Sequence, residues 1–275
     1  MKLILKIIII LEFCVGGLVE PIGNVETEIL QIRNTPREYT ISRGNIIKYE
    51  IYGPKIIAIN ARKPYPKKYT KEPNISFKIQ LQGSNAVYHK NEVIEFSKKV
   101  NSKKHPAHKY TKSEIVYLNI PKGNHRLEIS TDERPVLFRL TSRKKVKREK
   151  YKTTIQALDS KVISINTGSK LKEYSLLKSG ENVSFNINKA GLLWFFIRGL
   201  QSKDGLEPIV FRCQISDKIF QNIIFYSEPS LYADVDQIDQ KVGKLRTYSL
   251  DITDFSKNIK IENRSKIDVL LHGKY

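Results

Sequence analysis

Cysteine is almost absent from this chain of 275 residues, which has two, at positions 14 and 213. With Cys14 inside an N-terminal leader, Cys213 stands alone, so no intramolecular disulfide staples the fold. Glycine at 14 and proline at 11 are too few for a collagen-like or low-complexity chain. No apolar run reaches the roughly 20 residues of a good membrane span. The chain also lacks the H-E-x-x-H of zinc hydrolases, the G-x-S-x-G nucleophile elbow and the phosphate-cradling G-x-x-x-x-G-K-[ST] loop. That leaves no catalytic motif and points away from an enzyme. Acidic residues are the scarcer charge, 28 against 48 Lys and Arg, for a net charge of +20. A hydrophobic content of 40% excludes disorder despite that charge.

Charge is unevenly spread. Residues 24–141 hold 22 basic and 11 acidic residues, residues 142–152 hold seven and one, and residues 153–275 hold 17 and 14. The excess therefore lies in the first half and a short basic tract, concentrated at 63–71, 98–112 and 143–152. A basic belt of this kind draws polyanions by long-range attraction and counterion release.

The N-terminus carries Lys2 and Lys6, then an apolar stretch from Ile7 to Val19, then the small residues Gly16 and Gly17. This is the layout of an export signal over residues 1–23; an uncleaved anchor, giving membrane association, is the alternative. Export without disulfides fits a bacterial envelope: periplasm, cell surface or medium. The available polyanions there are acidic polysaccharide, teichoic acid, lipopolysaccharide and anionic phospholipid, and nucleic acid is not among them.

The chain reads as two copies. Tyr49–Arg62 aligns without a gap on Phe185–Arg198; Glu38 and Tyr39 align on Glu173 and Tyr174; Phe77–Leu81 aligns on Phe211–Ile215; and Ile120–Ile129 aligns on Ile252–Ile261. The offsets run 136, 135, 134 and 132, a drift that small loop insertions produce. Each copy spells short strands: Ile75–Leu81 and Val183–Ile187 alternate with period two, and Leu192–Ile197 is apolar throughout, as a central strand is. Val235–Gly243 reads as a loop or a short helix, and no other segment has a helical period. The expectation is an all-β chain of two tandem jelly-roll-like β-sandwiches, 24–141 and 153–275, joined by the basic linker 142–152.

Pro121-Lys-Gly-Asn124 carries turn chemistry between two strand-like runs. The phrase Tyr117–Ile129 resembles a hairpin of jelly-roll carbohydrate-binding modules and other bacterial surface sandwiches. The resemblance covers about 13 residues. It implies the fold and an extracellular setting, with a sugar as one class of ligand.

Candidate ligand residues follow from chemistry. Tyrosine rings stack on sugar faces, and lysines and histidines attract acidic groups. The loop Lys63–Tyr69 offers Tyr65, Lys67, Lys68 and Tyr69; the second basic loop offers Lys103, Lys104, His108 and Tyr110. Tyr88, Tyr226 and Tyr232 are further loop candidates, whereas Trp194 belongs to the core. His105 and His108 lack the two further ligands a metal needs. Asp234, Asp236 and Asp239 form one acidic cluster, where a solvated loop is favoured over structural calcium; no cofactor is expected. Arg62 and Arg198 end paired strands and suit a repeated structural contact, for instance with a carboxylate. Function is then expected to be binding of carbohydrate or an anionic envelope polymer, with an assembly role that docks an envelope protein as the alternative.

Overall fold

The computed structural model describes residues 17–84, 87–132, 135–143, 153–155, 157–158, 160–167, 170–187, 190–201, 205–216, 219–235, 238–252 and 258–275. All regular structure among them is β-strand, so Val235–Gly243 contributes no helix within its described part. No helix of the described residues is long and apolar enough to cross a membrane. The chain divides into two compact units, Met1–Gln82 with Val87–Lys145 and Gly83–Ala86 with Val146–Tyr275.

In the first unit the strands are β1 (Thr27–Ile32), β2 (Thr35–Ser42), β3 (Ile47–Arg62), β4 (Pro64–Pro66), β5 (Asn74–Leu81), β6 (Tyr88–Val93), β7 (Val100–Ser102), β8 (His108–Tyr110), β9 (Glu114–Ser130) and β10 (Val136–Arg143). Two of them are twice the usual length because each serves both layers. The second half of β3 pairs with β10 and with the first half of β9; its first half pairs with the second half of β9, which continues to β5 and β6. Beyond β10 the first layer runs to β2, β1 and β7. With the halves of β3 and β9 counted separately, the eight principal strands order as 1-8-3-6 in one layer and 2-7-4-5 in the other. That is a jelly roll. The layers share a core in which Phe77 of β5 meets Phe138 of β10 edge to face at 5.4 Å.

The crossing point corrects one expectation. Pro121–Asn124 is no hairpin turn, because β9 runs through it and pairs with β3 on both sides. The register shifts between Gly53 and Lys55, where a Cβ on Gly53 would lie 1.8 Å from the Pro121 carbonyl oxygen. Proline and glycine here let two long strands bend from one layer into the other.

The second unit contains β11 (Thr154–Ile155), β12 (Lys161–Asn166), β13 (Leu171–Leu177), β14 (Asn182–Asn186), β15 (Gly191–Gln201), β16 (Glu207–Ser216), β17 (Ile219–Ser227), β18 (Lys241–Val242), β19 (Arg246–Ile252), β20 (Asn258–Asn263) and β21 (Val269–Lys274). One layer orders β12-β13-β21-β15-β19, with β11 on β21 and β18 on the end of β15. The other orders β14-β20-β16-β17. Its principal strands again order 1-8-3-6 and 2-7-4-5, and Phe185 and Phe195 meet across the layers at 5.4 Å. Trp194 and Cys213 are buried, as a core ring and a structural thiol are. Burial pushes the Cys213 thiol up to about 12, far from nucleophilic use.

Both units clothe the outside of the 1-8-3-6 layer. In the first, Leu30, Tyr39, Ile41 and Leu137 pack there with Val100 and Tyr110 from the loop between β6 and β9. In the second, Ile163, Ile165, Tyr174, Leu200 and Leu270 pack with Val235 and Val242. The N-terminal side of the first unit reaches further back than residue 24. Gly17 accepts from the Ser142 backbone N–H at 2.9 Å, and the Val19 N–H donates to the Leu140 carbonyl at 3.0 Å. β10 leaves β2 after Phe138, and this segment takes up the backbone groups so exposed. Residues 1–16 and 144–152, on which most of the expected export signal and basic linker fall, lie outside the described residues.

Candidate functional site

The two basic loops of the first unit meet. β4 pairs with β8, placing Pro64 opposite Tyr110, Tyr65 opposite Lys109 and Pro66 opposite His108. The Lys67 N–H extends the contact to the Ala107 carbonyl at 2.9 Å. Prolines at 64 and 66 favour this extended backbone.

The meeting buries some of the expected ligand residues. Tyr65 is 1% exposed and Tyr110 fully buried, so neither presents a ring face to a sugar. The Tyr65 hydroxyl donates to the Asn74 carbonyl at 2.7 Å, and its ring packs on Tyr69 at 4.5 Å and on Phe96 at 5.6 Å. The Tyr110 hydroxyl donates to buried Glu28 at 2.5 Å. Burial, and then that carboxylate, push the Tyr110 phenol well above its ordinary range. These rings seal a covering layer. Tyr226 is buried in β17, and Tyr88 belongs to β6; neither is a loop residue.

The charged residues stay outside. Lys67, Lys68, Lys103 and Lys104 are exposed, with His108 half-buried. Lys104 lies 4.0 Å from Glu26, whose carboxyl is held below its usual range chiefly by the Arg43 hydrogen bond at 3.0 Å. Lys67, Lys68 and Lys103 form no ion pair among the described residues. His105 and His108 stack at 5.2 Å. Among the described residues no group of three metal-ligating side chains comes together. Asp234 spends a carboxylate oxygen on the Val235 N–H at 2.8 Å, Asp239 is described, and Asp236 lies outside the described residues.

Beside the basic loops lies a cavity of about 420 Å³, lined by Lys63, Tyr69, Asn74, Ser76, Asn91, Thr131 and Asp132. It sits on the solvent side of β5, since Ile75, Phe77 and Ile79 turn inward and Asn74 and Ser76 turn outward. Asn91 stands opposite Ser76 in the ladder. Lys63 reaches Asn74 Oδ1 at 3.4 Å, and Lys78 pairs with Asp132 at the rim. The lining offers ammonium, amide, hydroxyl and carboxylate groups around the one ring of Tyr69. Of the expected ligand residues only Tyr69 lines this cavity. Asn74, Ser76, Asn91, Thr131 and Asp132 were missed; the polar half of the β5 alternation is a trace of Asn74 and Ser76 alone, and nothing in the sequence links Asn91, Thr131 or Asp132 to them.

Arg62 and Arg198 make the repeated contact expected of them, but to carbonyls. Arg62 Nη1 donates to Thr111 O at 2.7 Å, and Arg198 Nη1 donates to Gly243 O at 2.8 Å.

No family model matches the sequence, and no curated protein matches it. The chain is similar to the CBM22-1–CBM22-2 tandem domain of Paenibacillus barcinonensis Xyn10C at 8% identity and a TM-score of 0.25, over 94% of this chain and 96% of that one. It is similar to the M60 catalytic domain with CBM51-1 and CBM51-2 of Clostridium perfringens ZmpB at 10% identity and a TM-score of 0.24, over 96% of this chain and 38% of that one. A third likeness is to the ANX2 ectodomain of Arabidopsis thaliana, at 9% identity and a TM-score of 0.22, over 92% and 89%. Scores this low carry no argument. Strand order and site define the chain only as a tandem jelly-roll protein.

Proposed function

We propose that this is an exported, non-enzymatic protein that binds an acidic envelope polysaccharide, holding one sugar residue in the cavity of the first unit. The observation that carries the reading is the lining of that cavity. A pyranose needs donors and acceptors around its rim and one apolar face to lie on, and Asn74, Ser76, Asn91 and Asp132 beside the Tyr69 ring supply both. Exposed Lys67 and Lys68 on the adjoining loop give the neighbouring acidic residues of a polymer somewhere to lie. Asp132 is the lone carboxylate among the described lining residues, whereas glycoside hydrolysis uses two. Export, the duplication and the basic linker belong to the same reading, supported by the N-terminal residue pattern and the strand order the units share, with a leader that ends before Gly17, whose carbonyl accepts from β10.

Calorimetric titration with acidic and neutral oligosaccharides at several salt concentrations tests it. Binding of the acidic series, weakened about tenfold by Asn91→Ala, is the expected result; no ligand retained at low salt would sink the proposal. The alternative, an assembly component that docks an envelope protein, is favoured by Leu231 and Tyr232, adjacent and 86% and 82% exposed. Loss of a co-purifying envelope protein on changing both to serine would favour that role.

A further inference from the structure

We propose that the second unit carries its own binding site, a cavity on the outside of its 1-8-3-6 layer that takes a carboxylated pyranose. It does not depend on the cavity of the first unit. The cavity measures about 410 Å³ and is lined chiefly by Lys172, Glu173, Tyr174, Phe196, His272 and Lys274. Strand pairing builds it: Phe196 stands opposite His272 in the ladder between β15 and β21, their rings 6.0 Å apart at 64°. Tyr174, almost fully buried, closes the floor 5.7 Å from His272. Phe196 and His272 are only partly buried, so ring surface remains open.

The chemistry divides into a platform and a rim. Burial lowers the His272 pKa, with Lys274 adding to the effect, so the imidazole is a neutral ring at neutral pH and extends the apolar surface of Phe196. Such a surface suits the C–H face of a sugar. Lys172 is exposed at the rim, and the Lys274 ammonium lies 6.0 Å from the Phe196 ring centre. Two ammonium groups beside a ring platform select a sugar bearing a carboxylate, and Glu173 is placed to accept from its hydroxyls.

The fold does not require these rings. In the first unit the same ladder position pairs Asn60 with Arg139, and the Asn60 amide is spent on the Arg139 carbonyl at 3.3 Å. Phe196 packs partly against the covering layer as well, which sets the choice of variants below.

Trp194 is the only tryptophan of the chain and precedes Phe196 by two residues on the same strand. Its fluorescence therefore reports on the second unit alone. The full chain is titrated with tetragalacturonate and with a neutral tetrasaccharide. Expected are a saturable Trp194 response to the acidic sugar alone, affinity at least fivefold weaker in Lys172→Gln, and the response lost in Phe196→Ala. Lys172 is exposed, so its variant keeps the test free of folding defects. Asn91→Ala leaves the Trp194 response unchanged while weakening the calorimetric signal of the first unit. A missing response overturns the proposal, as does one equal for the neutral sugar, unaffected by Lys172→Gln, or abolished by Asn91→Ala.

Discussion

Arg62 donates from Nη1 to the carbonyl oxygen of Thr111 across 2.7 Å; both residues are buried, and Thr111 belongs to the loop between β6 and β9. The backbone reinforces the contact: the Thr111 N–H donates to the Lys63 carbonyl, and the Lys63 N–H to Thr111 Oγ1. In the second unit the same three places are taken by Arg198, Gly199 and Gly243, the Gly243 N–H donating to the Gly199 carbonyl at 2.7 Å. An arginine late in β3 and in β15, the corresponding strands of the two units, thus fastens the covering loop in each.

Arg62→Met keeps most of the buried stem and removes the donor. A buried carbonyl that loses a charged partner costs about 2–3 kcal/mol. Urea unfolding should show that loss with an unchanged m-value. Limited proteolysis should cut first within 98–112. Cleavage elsewhere, or unaltered stability, would show that the arginine does not hold the loop.

Much of this fold was legible because strands advertise themselves by alternation. The alignment of Tyr49 on Phe185 and of Leu127 on Ile259 matches the ladders, which pair Tyr49 with Leu127 and Phe185 with Ile259. Pro121 and Gly123 misled because a hairpin turn and a bulge ask the same local conformations of them; the partner strand decides, and β3 lies far away in sequence. Tyr65 misled because lysines and prolines mark a surface loop, yet the ring between them points inward. The cavity itself was beyond reach. Lys63 and Tyr69, Asn74 and Ser76, Asn91, and Thr131 with Asp132 come from four stretches that only the pairing of β5 with β6 and β9 assembles.

Lys67 and Lys68 are the pair to change for the electrostatic part of the function. Both are exposed, and neither forms an ion pair among the described residues. Replacing both with glutamine should leave stability within about 0.5 kcal/mol. It should weaken an acidic polysaccharide while leaving a neutral one unaffected. The slope of log affinity against log salt should fall by about one for each lysine that contacts the polymer. An unchanged slope would place the polymer elsewhere.

Tyr49 makes stability depend on pH in the alkaline range. Burial pushes its phenol up to about 12, against about 10 in the unfolded chain. The protonated form is the one that folds, so its contribution is complete below about pH 10 and is lost as pH rises toward 12. Chemical denaturation between pH 9 and 12 should show stability falling by up to about 1.4 kcal/mol per pH unit for this one proton. Tyr49→Phe should remove that share of the slope. Equal slopes in both proteins would mean that another group governs the fall.

Gly53 tests whether the bend between layers is as crowded as its geometry requires. A Cβ there meets the Pro121 carbonyl oxygen at 1.8 Å and the Ile120 side chain at 2.9 Å, and the nearer obstacle is backbone that cannot swing aside. Gly23 is the control: its φ of +80° disfavours a side chain, but nothing lies within 4 Å of the new atom. Gly23→Ala should therefore cost about 1 kcal/mol, the ordinary penalty of a left-handed residue. Gly53→Ala has to push β3 from β9 where both strands change layers, and should cost at least about 4 kcal/mol or prevent folding. Thermal unfolding of the two variants side by side separates strain from collision. Comparable losses would mean that the crossing yields easily, and that β3 and β9 bend for some reason other than the glycine that lets them touch.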